Sequence, residues 1–474
     1  MNRPEMQQNR HNSHNRDIRS MPANAEVLDA RAILSRHGLH AVTTGPVSEL
    51  LQWLILGADS RGDNLFLGGR GSSALMGLSR ALVPWDQVLS CQFGSNGESE
   101  VASRWPEAAC GLVGILAYDD LTRDFKPRLS KCWAVETGLE FDVGREVVSG
   151  KWPTHLRAAA LARIDDLLAR AVESAAQAGG VQALSPASPK PEAAWAIWQP
   201  HCEAKISDEE YLGRAAQVIE FIREGRFYQL NLLRFFELTG KAPPGWPCNR
   251  IEVVGGPWSA LIDIDEAVRV VSFSPEQFIA ISSNRIETFP VKGTIARESD
   301  PVKDAAKGQS LLESAKDLAE LHMIVDLMRN DFHRICLSGS VEVPVAQELR
   351  SHTNVHHLHA KVTGRLQAGT TLASLISAVC PAGSITGAPK VEVMKAIAEL
   401  EGRPRGYHMG HVFHWRPDGS FDSSVLIRTM VRQANAAYEL AVGSGIVIRS
   451  NPADEMAEIM AKARVATASV HSLK

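Results

Sequence analysis

Five carboxylates, two lysines, one arginine and two glycine-rich turns carry types and spacings that could do chemistry. Asp317 and Glu320 lie three apart in SAKDLAELHMIVDLMRND. There Leu318, Leu321, Val325 and Met328 recur at helical spacing, so both acids project from one helix face. Glu455, Glu458 and Lys462 share a face in NPADEMAEIMAKARV, a helix that Asn451 can cap and Pro452 can begin. Two helices, each offering a carboxylate pair, suit Mg²⁺, which takes oxygen ligands and keeps waters and a substrate oxyanion. The same spacings also suit solvated helix faces with ordinary ion pairs.

Lys292 stands in FPVKGT between apolar residues and a glycine turn. An amine in partly apolar surroundings gives up its proton more readily and can act as a nucleophile; a lysine whose chain simply snorkels would look the same. Glu276, in SPEQFI, offers a carboxyl at the start of a strand, and a Glu held neutral there can serve as a general acid. PAGSITGAPKVEVMKAIAEL is a Gly/Ser/Thr loop running into a helix that Pro389 helps start. Exposed N–H groups at such a turn bind carboxylates. A second glycine pair, in VGSGIVI, is read as the end of a strand just before the acidic last helix. Arg428 falls in the apolar run SSVLIRTM, read as strand interior, where its charge needs a partner: a substrate carboxylate or a structural ion pair.

Several elements must position these groups. Residues 1–23 are Asn-, Arg- and His-rich with almost nothing to bury, and read as a disordered, solvated tail including His11 and His14. Residues 24–175 mix helices with short strands. GLVGILAYDDL reads as a buried strand, and Leu156 to Ala176 as a helix. Residues 176–200 are rich in Gly, Ser and Pro and read as a linker or exposed loop. Residues 201–474 form the part that carries the chemistry, opening with a helix capped by Ser207 and the strand RFYQLNLLRFFEL. Periodicity leaves open whether the two halves are separate domains or interleaved parts of one sandwich. A formal net charge of -4 gives no electrostatic reason to expect nucleic acid or a membrane surface. Seven scattered cysteines without a C-x-x-C pair fit a reducing cytosol, and no apolar run approaches the ~18 residues of a membrane span.

In chain order, YQLNLLRF, SPEQFI, ETFPVKGT, KDLAELHMIVDLMRND, VHHLHAKVTGRL, PAGSITGAPKVEVM, IRT and GSGIV followed by NPADEMAEIMAKA resemble the chorismate-binding enzymes. These include anthranilate synthase component I, aminodeoxychorismate synthase component I, and isochorismate and salicylate synthases. The likeness runs from about Asp208 to Val465 and continues more weakly through NLFLGG and GLVGILAYDDL. It implies an α+β fold, two packed antiparallel sheets flanked by helices, with the active site in a deep cleft. By motif position, Glu320 and Glu458 resemble the Mg²⁺ ligands, with Asp317 and Glu455 supporting the metal through water. Glu276 is similar to the acid that protonates the departing 4-hydroxyl of chorismate. Arg428 and Lys462 resemble carboxylate-binding residues. His357 matches an active-site histidine, and Gly383, Ser384, Thr386, Gly387, Gly443 and Gly445 resemble substrate cradles. Thr294, Gln229 and His408 join the expected substrate-binding set.

Within that family, members that add water resemble one another in carrying a lysine base where this chain has Gln229, so Gln229 points to ammonia as nucleophile. A lysine at 292 resembles aminodeoxychorismate synthases, in which the amine attacks C2 before ammonia enters at C4. The implied product is 4-amino-4-deoxychorismate, on the route to 4-aminobenzoate and folate. The sequence ends at Lys474, past the last helix motif, so ammonia is expected from a separate glutamine amidotransferase (glutaminase) subunit or from free ammonium. The alternatives are anthranilate synthase component I, which also expels pyruvate, and a weakly active paralogue acting as a binding subunit. The chain departs from the family at His408, where an aromatic residue is usual, and at Ala360, Glu392, Phe413 and Arg449.

Overall fold

The computed structural model describes residues 25–37, 50–51, 54, 58, 65–68, 73–93, 100–121, 125–142, 145, 147–177, 198, 200–240, 242, 246–247, 256–351, 355–434 and 436–467. The tail at 1–23 and most of the linker at 176–200 lie outside them.

Local sequence sets the helices. Ser207 caps Asp208–Arg223 by accepting from Glu210 N, and Ser314 caps Ala315–His333 by accepting from Asp317 N. Asn451 Oδ1 accepts from Ala453 N at the start of Pro452–Thr467. Each cap satisfies an N–H that the first turn leaves without an intrahelical partner. Lys390–Glu401 ends on Gly402 at φ 64°, the left-handed residue that closes many helices.

The strand ladders are antiparallel and form two runs that share one strand. The first passes from Glu342–Ser351 to Val355–Arg365, and on to Arg285–Thr288 and Val291–Ala296, which lie end to end. It continues through Gln277–Ser282, Phe421–Val425, His411–Trp415 and Leu112–Leu116 to the start of the long Lys131–Asp142 strand. The second leaves that same strand through Ser73–Leu82, Leu65–Gly68, Ala260–Asp263 and Val268–Ser272. It goes on through Thr429–Gln433, Tyr438–Val447 and Gln229–Thr239, whose far edge carries His201–Ala204 and Gly387–Ala388.

Three cores follow from this arrangement. Leu65, Leu75, Val113, Ile115, Trp133, Ile262 and Val412, drawn from both runs, pack together between the sheets. A second cluster buries Pro452–Thr467, Asp208–Arg223 and Lys390–Glu401 on the outer face of one sheet. A third buries Ala315–His333 and Leu372–Val379 on the other. The architecture is therefore the α+β, two-sheet arrangement with flanking helices. Leu65–Gly68 and Leu112–Leu116, from before residue 176, are bonded on one side to strands from after residue 200, so the two halves interleave. Phe413 shows how tightly: it stacks on Phe421 at 5.3 Å and lies where any side chain on Gly114, its partner across the ladder, would have to go.

Candidate active site

Glu276 begins the Gln277–Ser282 strand and accepts a hydrogen bond from Ser384 Oγ at 2.8 Å. Burial pushes its carboxyl pKa up, against the opposing pull of Ser384 and the positive charges of Lys292, Lys462 and Arg428. One acid thus faces three cations drawn from distant parts of the chain.

Lys292 sits at an irregularity in the pairing of Val291–Ala296 with Val355–Arg365, where Gly293 takes φ 66°. A Cβ on Gly293 would come within 2.9 Å of Leu311 and 3.1 Å of Asp317, so glycine lets the strand run close to the head of the Ala315–His333 helix. Lys292 Nζ consequently reaches 3.9 Å from Glu320 Oε2. His357 lies opposite Thr294 in the same ladder, and its Nδ1 is 3.3 Å from Gly293 O, so the histidine is brought to the lysine turn.

The four acids face a common space, and each already has a partner. Burial raises the Glu320 carboxyl pKa. The charges of Lys292 and Lys316 lower it, and those of Asp317 and Glu455 raise it. Glu458 bonds Lys462 at 2.6 Å; its burial is outweighed by Lys462, Lys316 and Lys292, which hold its pKa down. Glu455 accepts from Ser444 and Ser450 and lies 3.9 Å from Lys316. Asp317 accepts from Ser314. Among the described residues no three carboxylate, imidazole or thiolate groups converge as a ready-made metal cage. The donor set nevertheless fits Mg²⁺, which commonly takes one or two carboxylates and completes its shell with water and substrate.

The Gly383–Ile385 turn carries Ser384 to Glu276, and its neighbours hold it there. Thr386 Oγ1 donates to Ala382 O, and Thr386 O accepts from Asn231 N, so Thr386 closes the loop. Gly387, at φ 142°, clears the backbone of Gln229. Three side chains fasten the segment. Lys390 donates to Val379 O and Asp331, His411 Nε2 accepts from Ala382 N, and Arg405 donates to Ile385 O. On the facing strand, a Cβ on Gly445 would stand 2.8 Å from Gln229 Nε2 and 3.6 Å from Lys292 Nζ. Gln229 therefore lies beside the lysine. Lys462 Nζ donates to Gly443 O at 3.1 Å.

Two readings need correction. Arg428 is not strand interior: it stands in the corner between Phe421–Val425 and Thr429–Gln433, at φ 50°, where the chain crosses from one sheet to the other. A left-handed non-glycine residue is strained, and such strain gathers at functional sites. Gly443 and Gly445 lie in the last five residues of the Tyr438–Val447 strand, as read from the sequence. His408, expected among the substrate-binding residues, bonds Glu439 at 3.4 Å and packs edge-on against Phe235. Its contacts are with that ion network, to which Arg403 and Lys205 also belong, and not with the acidic cluster.

Sequence reasoning missed Lys316, Ser444 and Ser450. Lys316 carries a detectable signal, because a cation in the first turn of a helix opposes the helix dipole and so hints at another use. A separate cavity of about 260 Å³ between the sheets, bordered by Leu75, Trp258, Phe413 and Asp422, contains none of the candidate site residues.

Comparison with known proteins agrees with this geometry. The chain is 40% identical over 260 residues to the aminodeoxychorismate synthase component 1 of Klebsiella aerogenes, a match covering 55% of this chain and 57% of that relative. It is 32% identical over 369 residues to an anthranilate synthase component 1 of Haloarcula marismortui, covering 75% of this chain and 74% of that one. The fold superposes on anthranilate synthase component I from Streptococcus pneumoniae with a TM-score of 0.63 at 21% identity, covering 96% and 95% of the two chains. Residues 83–468 match the family described as chorismate binding enzyme, and the chain belongs to it.

Proposed function

We propose that this enzyme aminates chorismate at C4, without loss of pyruvate, to give 4-amino-4-deoxychorismate. The observation that carries the reading is the contact set of Lys292: its amine lies beside the Gln229 carboxamide and 3.9 Å from Glu320, and its charge acts on Glu276.

Arg428 and Lys462 present positive charge to a substrate carboxylate, and the glycine turn with Ser384 closes the opposite wall. The Lys292 nitrogen, in its free-amine form, attacks C2. Both conjugated ring double bonds shift, C1=C2 to C1=C6 and C5=C6 to C4=C5, and the C4–O bond breaks. Glu276 gives its proton to the departing oxygen, which leaves as water. Ammonia then attacks C4, both double bonds shift back, the C2–N bond breaks to release the lysine as a free amine, and a proton from the new C4 ammonium group restores Glu276. Gln229 cannot accept a proton, so water at its place stays a poor nucleophile while ammonia needs no base. Glu320 and Glu458 would hold Mg²⁺, with Asp317 and Glu455 in support. Bound there, the metal would neutralise one substrate carboxylate and anchor the ring.

Ammonia would come from a glutaminase subunit, a reading supported by the relatives' designation as component 1. The six cysteines among the described residues are free, which suits a cytosolic enzyme of 4-aminobenzoate supply.

The test is the product. Purified chain with chorismate, Mg²⁺ and ammonium chloride should yield a species that keeps its enolpyruvyl group. Anthranilate with free pyruvate, or isochorismate, as the main product rejects the reading. Lys292→Ala should cut 4-amination by about a hundredfold or more, since the displacement loses its covalent stage. Quenching the wild type with chorismate and no ammonia should reveal an adduct by intact mass that the variant lacks.

A further inference from the structure

Two buried carboxamides stand side by side, with both polar atoms of one and the oxygen of the other lacking a partner among the described residues. Gln229 and Asn231 are two residues apart in the Gln229–Thr239 strand, so they project from the same face. Gln229 is 0% exposed and Asn231 is 8% exposed. Among the described residues, neither Oε1 nor Nε2 of Gln229, nor Oδ1 of Asn231, has a hydrogen-bond partner. Buried polar groups are almost always paired, so adjacent orphans need an occupant.

The facing strand is shaped around them. Gly443 and Gly445 stand where a side chain would collide with the Asn231 and Gln229 carboxamides respectively. Lys292 Nζ borders the same gap, 3.6 Å from the position a Gly445 Cβ would take. Two glycines inside a strand weaken it, and here they make room for two carboxamides whose oxygens bond no described residue.

We propose that Asn231, together with Gln229, forms the binding site for the incoming ammonia, and that Asn231 sets the enzyme's affinity for it. This deepens the amination reading above and rests on it. Side chains two residues apart on a strand are separated by roughly 7 Å at their Cα atoms. A molecule hydrogen-bonded at both ends spans about 6 Å, so the pair fits one small guest. Two carbonyl oxygens accept N–H bonds and leave the lone pair of ammonia free to attack. Neither amide can take a proton, so the site activates no water. The positive charge of Lys462, whose Nζ donates to Gly443 O beside the gap, disfavours ammonium and favours the neutral form.

The test varies ammonia and chorismate independently at fixed pH, with Mg²⁺ saturating and ammonium chloride as the nitrogen source. Asn231→Leu replaces the carboxamide by an apolar group of similar branching. It should raise KM for ammonia at least tenfold, leave KM for chorismate within about twofold, and keep the 4-amino product. The variant should also melt no lower than the wild type, because it removes a buried acceptor without a partner. A structural role predicts the reverse, a lower melting temperature with an unchanged KM for ammonia, and that result overturns the proposal. Asn231→Ala serves as a second variant, with the same expected split between the two KM values, should leucine overpack the strand. If the wild type makes no aminated product, the amination reading itself has failed. If it does, and both variants leave KM for ammonia unchanged or shift both KM values equally, only the ammonia site has failed.

Discussion

Glu276 shows how burial turns an ordinary side chain into a candidate acid. Desolvation raises its carboxyl pKa more than Ser384 and three cations lower it, so it keeps its proton to higher pH than a free glutamate. The sign of the consequence follows. The acid is competent below its folded-state pKa and lost as pH rises through it, so kcat/KM should fall on an alkaline limb displaced from the usual carboxylate range towards neutrality. Glu276→Gln should remove that limb and lower the rate by about a hundredfold or more. A pH–rate profile unchanged by the substitution would remove Glu276 from the mechanism. At this scale the sequence was legible where spacing on one helix decided the matter, as for Glu458 and Lys462. It misled at Arg428, because the apolar residues on either side continue unbroken through a corner. It misled at His408 too, whose partner Glu439 lies on a strand that no local pattern connects to it.

Elements were legible wherever their ends are written locally: Ser207 and Asn451 each announce a helix. The Gly383–Ile385 turn is different, since distant side chains fasten it. Arg405, with 1% of its side chain exposed, donates to both oxygens of Glu401, to Ile385 O and to Asn231 O, and stacks over Tyr118. Glu401 in turn accepts from Leu233 N. Removing one member of a buried ion pair strands the other, typically at about 3–5 kcal/mol. Arg405→Met should therefore lower stability by that order in urea unfolding, while Glu401→Gln with Arg405→Met recovers much of the loss. A single variant within about 1 kcal/mol of the wild type would show that the pair does not hold the turn.

For the whole molecule, the division at residues 176–200 marks a composition boundary, and the ladders cross it. Leu65–Gly68 bonds Ala260–Asp263, and Leu112–Leu116 bonds His411–Trp415. Residues 201–474 expressed alone would expose two strand edges and half of the core between the sheets. They should be insoluble or unfolded, and co-expression with 24–175 should rescue them. A soluble, active 201–474 fragment would overturn the interleaved reading. No periodicity reports such pairing, because register between strands hundreds of residues apart depends on packing such as Phe413 against Gly114.

The lysines that occupy the acidic cluster have a thermodynamic consequence. Lys462 holds Glu458, Lys292 approaches Glu320 and Lys316 approaches Glu455. A dication entering that cluster competes with the protein's own ammonium groups and sets them free, and a freed ammonium group is what a dianionic substrate seeks. Metal and substrate are thereby linked through a shared exchange of partners, and linkage is reciprocal. Calorimetric titration of Glu276→Gln, which binds without turning over, should find Mg²⁺ several-fold tighter with chorismate present, and chorismate tighter by the same factor with Mg²⁺. Lys462→Met should tighten Mg²⁺ in the absence of substrate and weaken chorismate. Equal Mg²⁺ affinities in Lys462→Met and its parent would mean that the lysine offers the metal no competition.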